Sequence, residues 1–430
     1  MKKEIITSRH TGDSCIHVTH KSGLNIYICE MPGFSSVKAL FGTDYGSVDT
    51  TFKIASDTEY TTVPMGIAHF LEHKLFENEE CGVFELYAAT GAAGNAFTSF
   101  DKTCYLFSCS KNYTENLKIL LDFVQKPFFT KENVDKEQGI IGQEIQMTND
   151  NPEWRVLFNM LKCMYHEHPV KIDIAGTAES IAQIDAELLY KCYDTFYNLN
   201  NMTLAIAGNI NADEVLAICD EMLRPCEDKG LETIFPDEPL TVVQHEIRER
   251  QPVGAPIFQL GFKCAPCSGY ELLKKNLTAA AACAMICDVS SEMYQKLLSS
   301  GVINSSFGFD VFCGDGYFAV IFGGESESPE TVRDELISAI SKIKANGVDE
   351  KLFSRIKKET YGMSIRELNN VDAVAALMLN HGMNGVKPYD SIDIISELTS
   401  GDVLDFIRDE LAEDRLVLSI IDRTEEMIQP

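Results

Sequence analysis

Apolar and polar residues alternate over Asn25–Cys29 and again over Val37–Phe41, a period of two that predicts strands. The spacing becomes helical over Pro64–Phe76, with Thr61 and Thr62 as candidate caps and Pro64 suited to a first turn. Thr103–Cys109 reads as a strand, and Thr114–Val124 and Asn133–Met147 as amphipathic helices. A helical stretch, Ile181–Tyr193, leads to an apolar strand, Met202–Ala207, closed by Gly208-Asn209.

The same order then recurs. Ile257–Phe262 is strand-like, Leu277–Asp288 is an Ala-rich helix and Tyr317–Gly323 is an apolar strand. Pro329–Ile343, Glu350–Leu368 and Asp402–Leu411 follow as helices, and Leu416–Ile421 closes as a strand. Thr130 and Asp349 stand 219 residues apart at the heads of corresponding helices, both as N-caps. Between the halves, Arg224–Glu238 is rich in charge, Pro and Gly, which marks a linker. The pattern predicts an α+β fold of two homologous domains, 1–228 and 229–430, each mixing a sheet with helices. The repeat is far longer than a solenoid period. No phosphate-binding loop or dinucleotide fingerprint follows a strand, and Gly91-Ala92-Ala93-Gly94 is a turn.

A chain of 430 residues has room for more than one core. Its 37 Lys and Arg face 65 Asp and Glu, a formal net charge of −28. Such a surface repels phosphates, which argues against nucleic acid and anionic membranes as partners and favours cationic peptides or metal ions. No run approaches the roughly 18 apolar residues of a membrane span, and the opening MKKEIITSRHTGDSC lacks the apolar stretch of a secretory signal. Fourteen cysteines without a repeating spacing read as reduced, mostly buried thiols. A cytoplasmic location is the expectation.

The chemistry centres on His69-Phe70-Leu71-Glu72-His73. On a helix, residues i and i+4 share a face, so His69 and His73 can offer two imidazoles to one tetrahedral ion. Glu72 lies near that face, where a carboxylate can take a proton from a water polarised by the ion. The order H-x-x-E-H is the inverzincin signature. An open zinc site takes a third protein ligand, often a carboxylate. Glu137 and Glu144 sit nearly two turns apart on the helix Asn133–Met147, so one can bind the ion while the other supports a ligand. Their positions alone do not decide which. Lys74, directly after the motif, points off the metal face by its spacing. Cys264-Ala265-Pro266-Cys267 and the His166/His168 pair read as structural.

Taken together, the sequence resembles the pitrilysin/insulinase family of zinc metallopeptidases, most of all its short members, such as the mitochondrial processing peptidase subunits and their bacterial relatives. The stretches that carry the resemblance are Gly66–His73, Asn95–Thr98 with Thr103 and Tyr105, Glu137–Ile145, Gly176-Thr177 and Asn201–Leu204 ending at Gly208. The resemblance implies Zn2+ as cofactor, held by His69, His73 and Glu144, with Glu72 as the catalytic base and Glu137 as the supporting acid. It implies that Asn95, Ala96 and Phe97 form a strand edge along which a peptide substrate adds as a further strand. It also implies that two repeats make half of the clamshell that long members build from four, with an enclosed chamber that admits short or unfolded peptides.

One feature departs from the family. Catalytic assemblies use an Arg and a Tyr from a C-terminal half to hold the substrate carbonyl, in a stretch that here reads Ser300-Gly301-Val302-Ile303-Asn304. Neither residue is present, and the second half has no H-x-x-E-H. The expectation is a zinc metalloendopeptidase subunit, a dimer that pairs with a zinc-less homologous chain. A self-sufficient homodimer and a non-catalytic peptide-binding subunit with a retained zinc site are the alternatives.

Overall fold

The computed structural model describes residues 2–77 and 82–424. They form two compact units, each built from separated segments. The first comprises Met1–Ile145, Asp173–Phe235 and Ser364–Asp390, and the second Gln146–Ile172, Pro236–Met363 and Ser391–Pro430.

The first unit carries a seven-stranded sheet. Its strands, in order across the sheet, are Lys2–Thr7, Ser14–Thr19, Asn25–Glu30, Met202–Gly208, Val37–Thr43, Thr103–Cys109 and Ala93–Thr98. Asn25–Glu30 and Met202–Gly208 run parallel and the other neighbours antiparallel. The second unit carries a five-stranded sheet in the order Glu246–Gln251, Leu416–Arg423, Ile257–Lys263, Tyr317–Glu325 and Gly308–Gly314. Its first two strands are the parallel pair. Without its two N-terminal strands, the larger sheet has the same order and the same parallel pair. The repetition in the sequence is therefore a repetition of topology.

The predicted strands and long helices form nearly where periodicity puts them, because each presents an apolar face. Thr130 caps the helix Lys131–Asp150: its hydroxyl accepts from the Asn133 amide at 3.2 Å, and the Asn133 side chain accepts from the Thr130 amide at 2.9 Å. Asp349 caps Glu350–Glu367 by accepting from the amides of Lys351 and Leu352. Five expectations are refined. The helix predicted from Pro64 begins at Ile67, with Pro64 outside it, and the Ala-rich helix begins at Gly269, eight residues before Leu277. Ile181–Tyr193 is two helices, Ala178–Ile181 and Ala186–Phe196, since Asp185 starts a new one by accepting from the Leu188 amide. Thr61–Thr62 is a short strand rather than a cap, paired with Thr51–Lys53. Glu232–Thr233, inside the predicted linker, pairs with the other side of Thr51–Lys53, so that part of the linker is tied to the first unit.

Each sheet is covered by a helix from the opposite half of the sequence. Pro152–Met164 packs on the strands of the second sheet, and Val371–Met383 on those of the first. Glycine permits both approaches. A Cβ on Gly261 would stand 2.5 Å from Met160 Sδ and 2.6 Å from Met164 Cε, and one on Gly42 would stand 3.0 Å from Met383 Cε. The 219-residue offset relating Thr130 to Asp349 also relates Gly42 to Gly261 and Met164 to Met383. The duplication thus preserves the packing contact itself. Among the described residues, no helix is long and apolar enough to cross a membrane.

Candidate metal centre

The H-x-x-E-H segment lies on the helix Ile67–Leu75 in the first unit. Its sequence, IAHFLEHKL, is buried on almost every side, and it packs against Ala93–Thr98 and Thr103–Cys109. The helix starts at Gly66, which has φ 89°, and a Cβ there would meet the Ala175 carbonyl oxygen at 2.4 Å. A left-handed start against another backbone leaves room only for glycine. Gly66→Ala is expected to cost about 2 kcal/mol or more. It should appear as an earlier unfolding midpoint in denaturant, together with a lower metal content, because the histidine helix starts at this residue.

The second contributor is the helix Lys131–Asp150. Val134, Glu137, Ile141 and Ile145 form its buried stripe, so a carboxylate replaces an apolar side chain at position 137. Glu144 is half-exposed at the edge of the same face.

These two helices bring three groups together. His69 Nε2 is 3.7 Å from one oxygen of Glu144, and His73 Nε2 is 3.6 Å from the other. The donor atoms of His69, His73 and Glu144 all lie within 4.8 Å of one another. The two His–Glu separations are longer than hydrogen bonds and close to the roughly 3.4 Å between ligand atoms of a tetrahedral ion bound at about 2.1 Å. The donor set, two imidazoles and one carboxylate, is that of an open zinc site. The His73 ring is already oriented for it: Nδ1 is 2.9 Å from Glu137 Oε1, which leaves Nε2 toward Glu144. Among the described residues, Nδ1 of His69 is buried without a hydrogen-bond partner.

Burial, together with the neighbouring His73, pushes the His69 pKa down to about 3, so its ring is neutral and its Nε2 lone pair available at neutral pH. Burial also pulls on His73, but its bond to Glu137 and the surrounding carboxylates outweigh it and raise the pKa. Glu72 is buried at 9% exposure and stands outside the converging donor set. Burial raises its pKa against the opposing hydrogen bond from Thr98, whose hydroxyl donates to Glu72 Oε2 at 2.8 Å.

Comparison with known proteins gives the assignment. The model of the insulinase (peptidase family M16) domain matches residues 56–178, which contain every group just described, and the model of the peptidase M16 inactive domain matches 183–360. An uncharacterised zinc protease of Bacillus subtilis, YmfH, is 36% identical over 94% of this chain and 96% of its own. The chain belongs to the M16 peptidase family. A crystal structure of an M16-like peptidase from Alicyclobacillus acidocaldarius superposes with a TM-score of 0.92 at 32% identity, covering 98% of both chains. Pitrilysin, at 14% identity and a TM-score of 0.77, shares the fold: 98% of this chain matches 46% of that one.

Asn95, Ala96 and Phe97 lie on Ala93–Thr98, which among the described residues is the edge strand of the large sheet, paired on one side, with Thr103–Cys109. In the second unit, Ser300 bonds the Leu297 carbonyl at 3.0 Å and Asn304 bonds Glu325 at 2.7 Å, so both side chains are engaged locally. His168 is buried with Nε2 on the Asp315 carbonyl, and His166 contacts the Thr241 carbonyl. Cys264 is buried in the core of the second unit, with Cys267 packed at its margin. Two residues near the metal centre were not singled out for it by sequence reasoning. Thr98 closes the Asn-Ala-Phe-Thr stretch, but its partner Glu72 is 26 residues away. Lys74, read as pointing off the metal face, is fully buried against Glu137.

Proposed function

We propose that this chain is a zinc-dependent endopeptidase that hydrolyses short or unfolded peptides, working with a second, zinc-less chain of the same family. The observation that carries the reading is the convergence of His69, His73 and Glu144 beside a buried carboxylate, Glu72, that is not among the converging donors. That a relative 36% identical to this chain is named a zinc protease supports the same reading.

His69, His73 and Glu144 would hold the ion, with Glu137 fixing the His73 ring. Zinc, when bound, supplies a Lewis acid that brings the pKa of water to about 7 and polarises a peptide carbonyl. Glu72 accepts the proton of the attacking water and returns it to the leaving amine. Thr98 holds one Glu72 oxygen, which orients the carboxylate for that transfer. The open side of Ala93–Thr98 offers backbone groups to an extended peptide, so Asn95, Ala96 and Phe97 bind it as an added strand while reading few side chains. Phe97, 40% exposed, adds an apolar contact. Among the described residues no cysteine forms a disulfide and most are buried, which suits a reducing compartment, and we place the protein in the cytoplasm.

The test is metal content alongside turnover of a quenched, unstructured peptide. Wild-type chain should carry one zinc. Glu144→Gln should lose most of it, because an amide replaces an anionic ligand while the two neutral imidazoles remain. Unchanged zinc in that variant, measured by elemental analysis, removes Glu144 from the site.

A further inference from the structure

Lys74 is a charged side chain with no exposed surface, one residue beyond the histidine motif. Burying an ammonium is costly unless nearby groups compensate it. Its Nζ donates to Glu77, three residues on along its own segment, and to the Asn133 carbonyl at 3.2 Å. It also lies 3.7 Å from Glu137 Oε2, a separation for charge attraction rather than a hydrogen bond. Asn133 and Glu137 are one turn apart on the helix Lys131–Asp150. Lys74 therefore grips the second helix at two successive turns while itself belonging to the helix of the histidines.

The Glu137 carboxylate is divided between two partners. One oxygen takes the His73 Nδ1 contact at 2.9 Å, and the other faces the Lys74 ammonium. Glu137 is 4% exposed, so its charge needs a partner within the protein. Lys136 is adjacent in sequence but exposed, where water screens it. Among the described residues, Lys74 is the buried lysine or arginine beside Glu137.

We propose that Lys74 is a positioning residue for the metal centre: it holds the Glu137 carboxylate against His73. This rests on the zinc reading above and extends it outward along the chain His73–Glu137–Lys74. A lysine at 74 sets how tightly the three donors hold the ion, without touching the ion or a substrate.

The experiment measures zinc affinity by competition with a chelator of known strength, on the full chain. Lys74→Met, similar in length and uncharged, is expected to weaken zinc binding about 10- to 100-fold, the effect typical of groups that support metal ligands. The double variant with Glu137→Gln separates positioning from general packing. If Lys74 acts through Glu137, Lys74→Met costs little more once Glu137→Gln is in place, whereas independent effects multiply. Should Lys74→Met fail to fold, Lys74→Gln, which keeps a donor for the Asn133 carbonyl, carries the same measurement. Wild-type affinity in the Lys74 variant, or an undiminished loss in the Glu137→Gln background, overturns the proposal and leaves the zinc reading standing. A wild-type chain that binds no zinc overturns both.

Discussion

Glu72→Gln is expected to reduce peptide hydrolysis by about a hundred- to ten-thousand-fold, the range of a lost general base, while zinc stays bound. Glutamine has nearly the size and shape of glutamate, and its carbonyl oxygen can still accept from the Thr98 hydroxyl, so the helix and its burial persist. What it cannot do is take a proton. The proposed metal donors His69, His73 and Glu144 converge without Glu72, so an ion held by them would keep its ligands. The wild-type carboxylate suits its role because burial raises its pKa while Thr98 opposes that rise. Paired measurements of zinc content and turnover of a quenched peptide check the expectation. Loss of zinc would make Glu72 a ligand, and full activity with zinc in place would assign the base to another group.

The second large effect concerns the partner. Adding a zinc-less homologue that carries the Arg and Tyr is expected to raise peptide cleavage about a hundred- to a thousand-fold over the zinc-loaded chain alone, the contribution of one preorganised oxyanion donor. Water attack builds negative charge on the substrate carbonyl oxygen, and donors already in place stabilise it without reorganising. Ser300 and Asn304, which stand where the family resemblance puts those residues, are bonded to Leu297 and Glu325 instead. Neither carries a positive charge. Two copies of this chain would thus bring two metal centres and no charged carbonyl clamp. The check is to purify the chain, confirm its zinc, and assay unstructured peptides before and after adding the candidate partner. Robust cleavage by the chain alone, abolished in Glu72→Gln so that a contaminant is excluded, would establish a self-sufficient enzyme.

Much of this molecule was legible in the chain itself. Thr103–Cys109, Met202–Gly208 and Leu416–Arg423 are near-continuous apolar runs, and a buried strand needs that pattern whatever surrounds it. The caps Thr130 and Asp349 act on amides two to three residues away, so their signal is local. The pairing of His69 with His73 follows from the helical repeat alone, as does the common face of Glu137 and Glu144. The duplication could be read because both halves solve the same packing problem with the same order of elements.

The rest depended on contacts between residues far apart in sequence. Ala93–Thr98, with its Gly and Ala, has little strand character of its own and is a strand through its pairing with Thr103–Cys109. The apolar faces of Pro152–Met164 and Val371–Met383 show that each helix must cover something. Which sheet each covers is decided by Gly261 and Gly42, about a hundred and more than three hundred residues away respectively. The same holds at the metal centre. Glu144 reaches the histidines, Thr98 reaches Glu72, and Lys74 makes a buried contact with Glu137, because the tertiary packing brings the histidine helix against a second helix and against the strand Ala93–Thr98. Periodicity shows which side of an element seeks burial, since that is a property of one segment. The partner it finds there is a property of the whole fold, and on that partner the ligand, the base and its support depend.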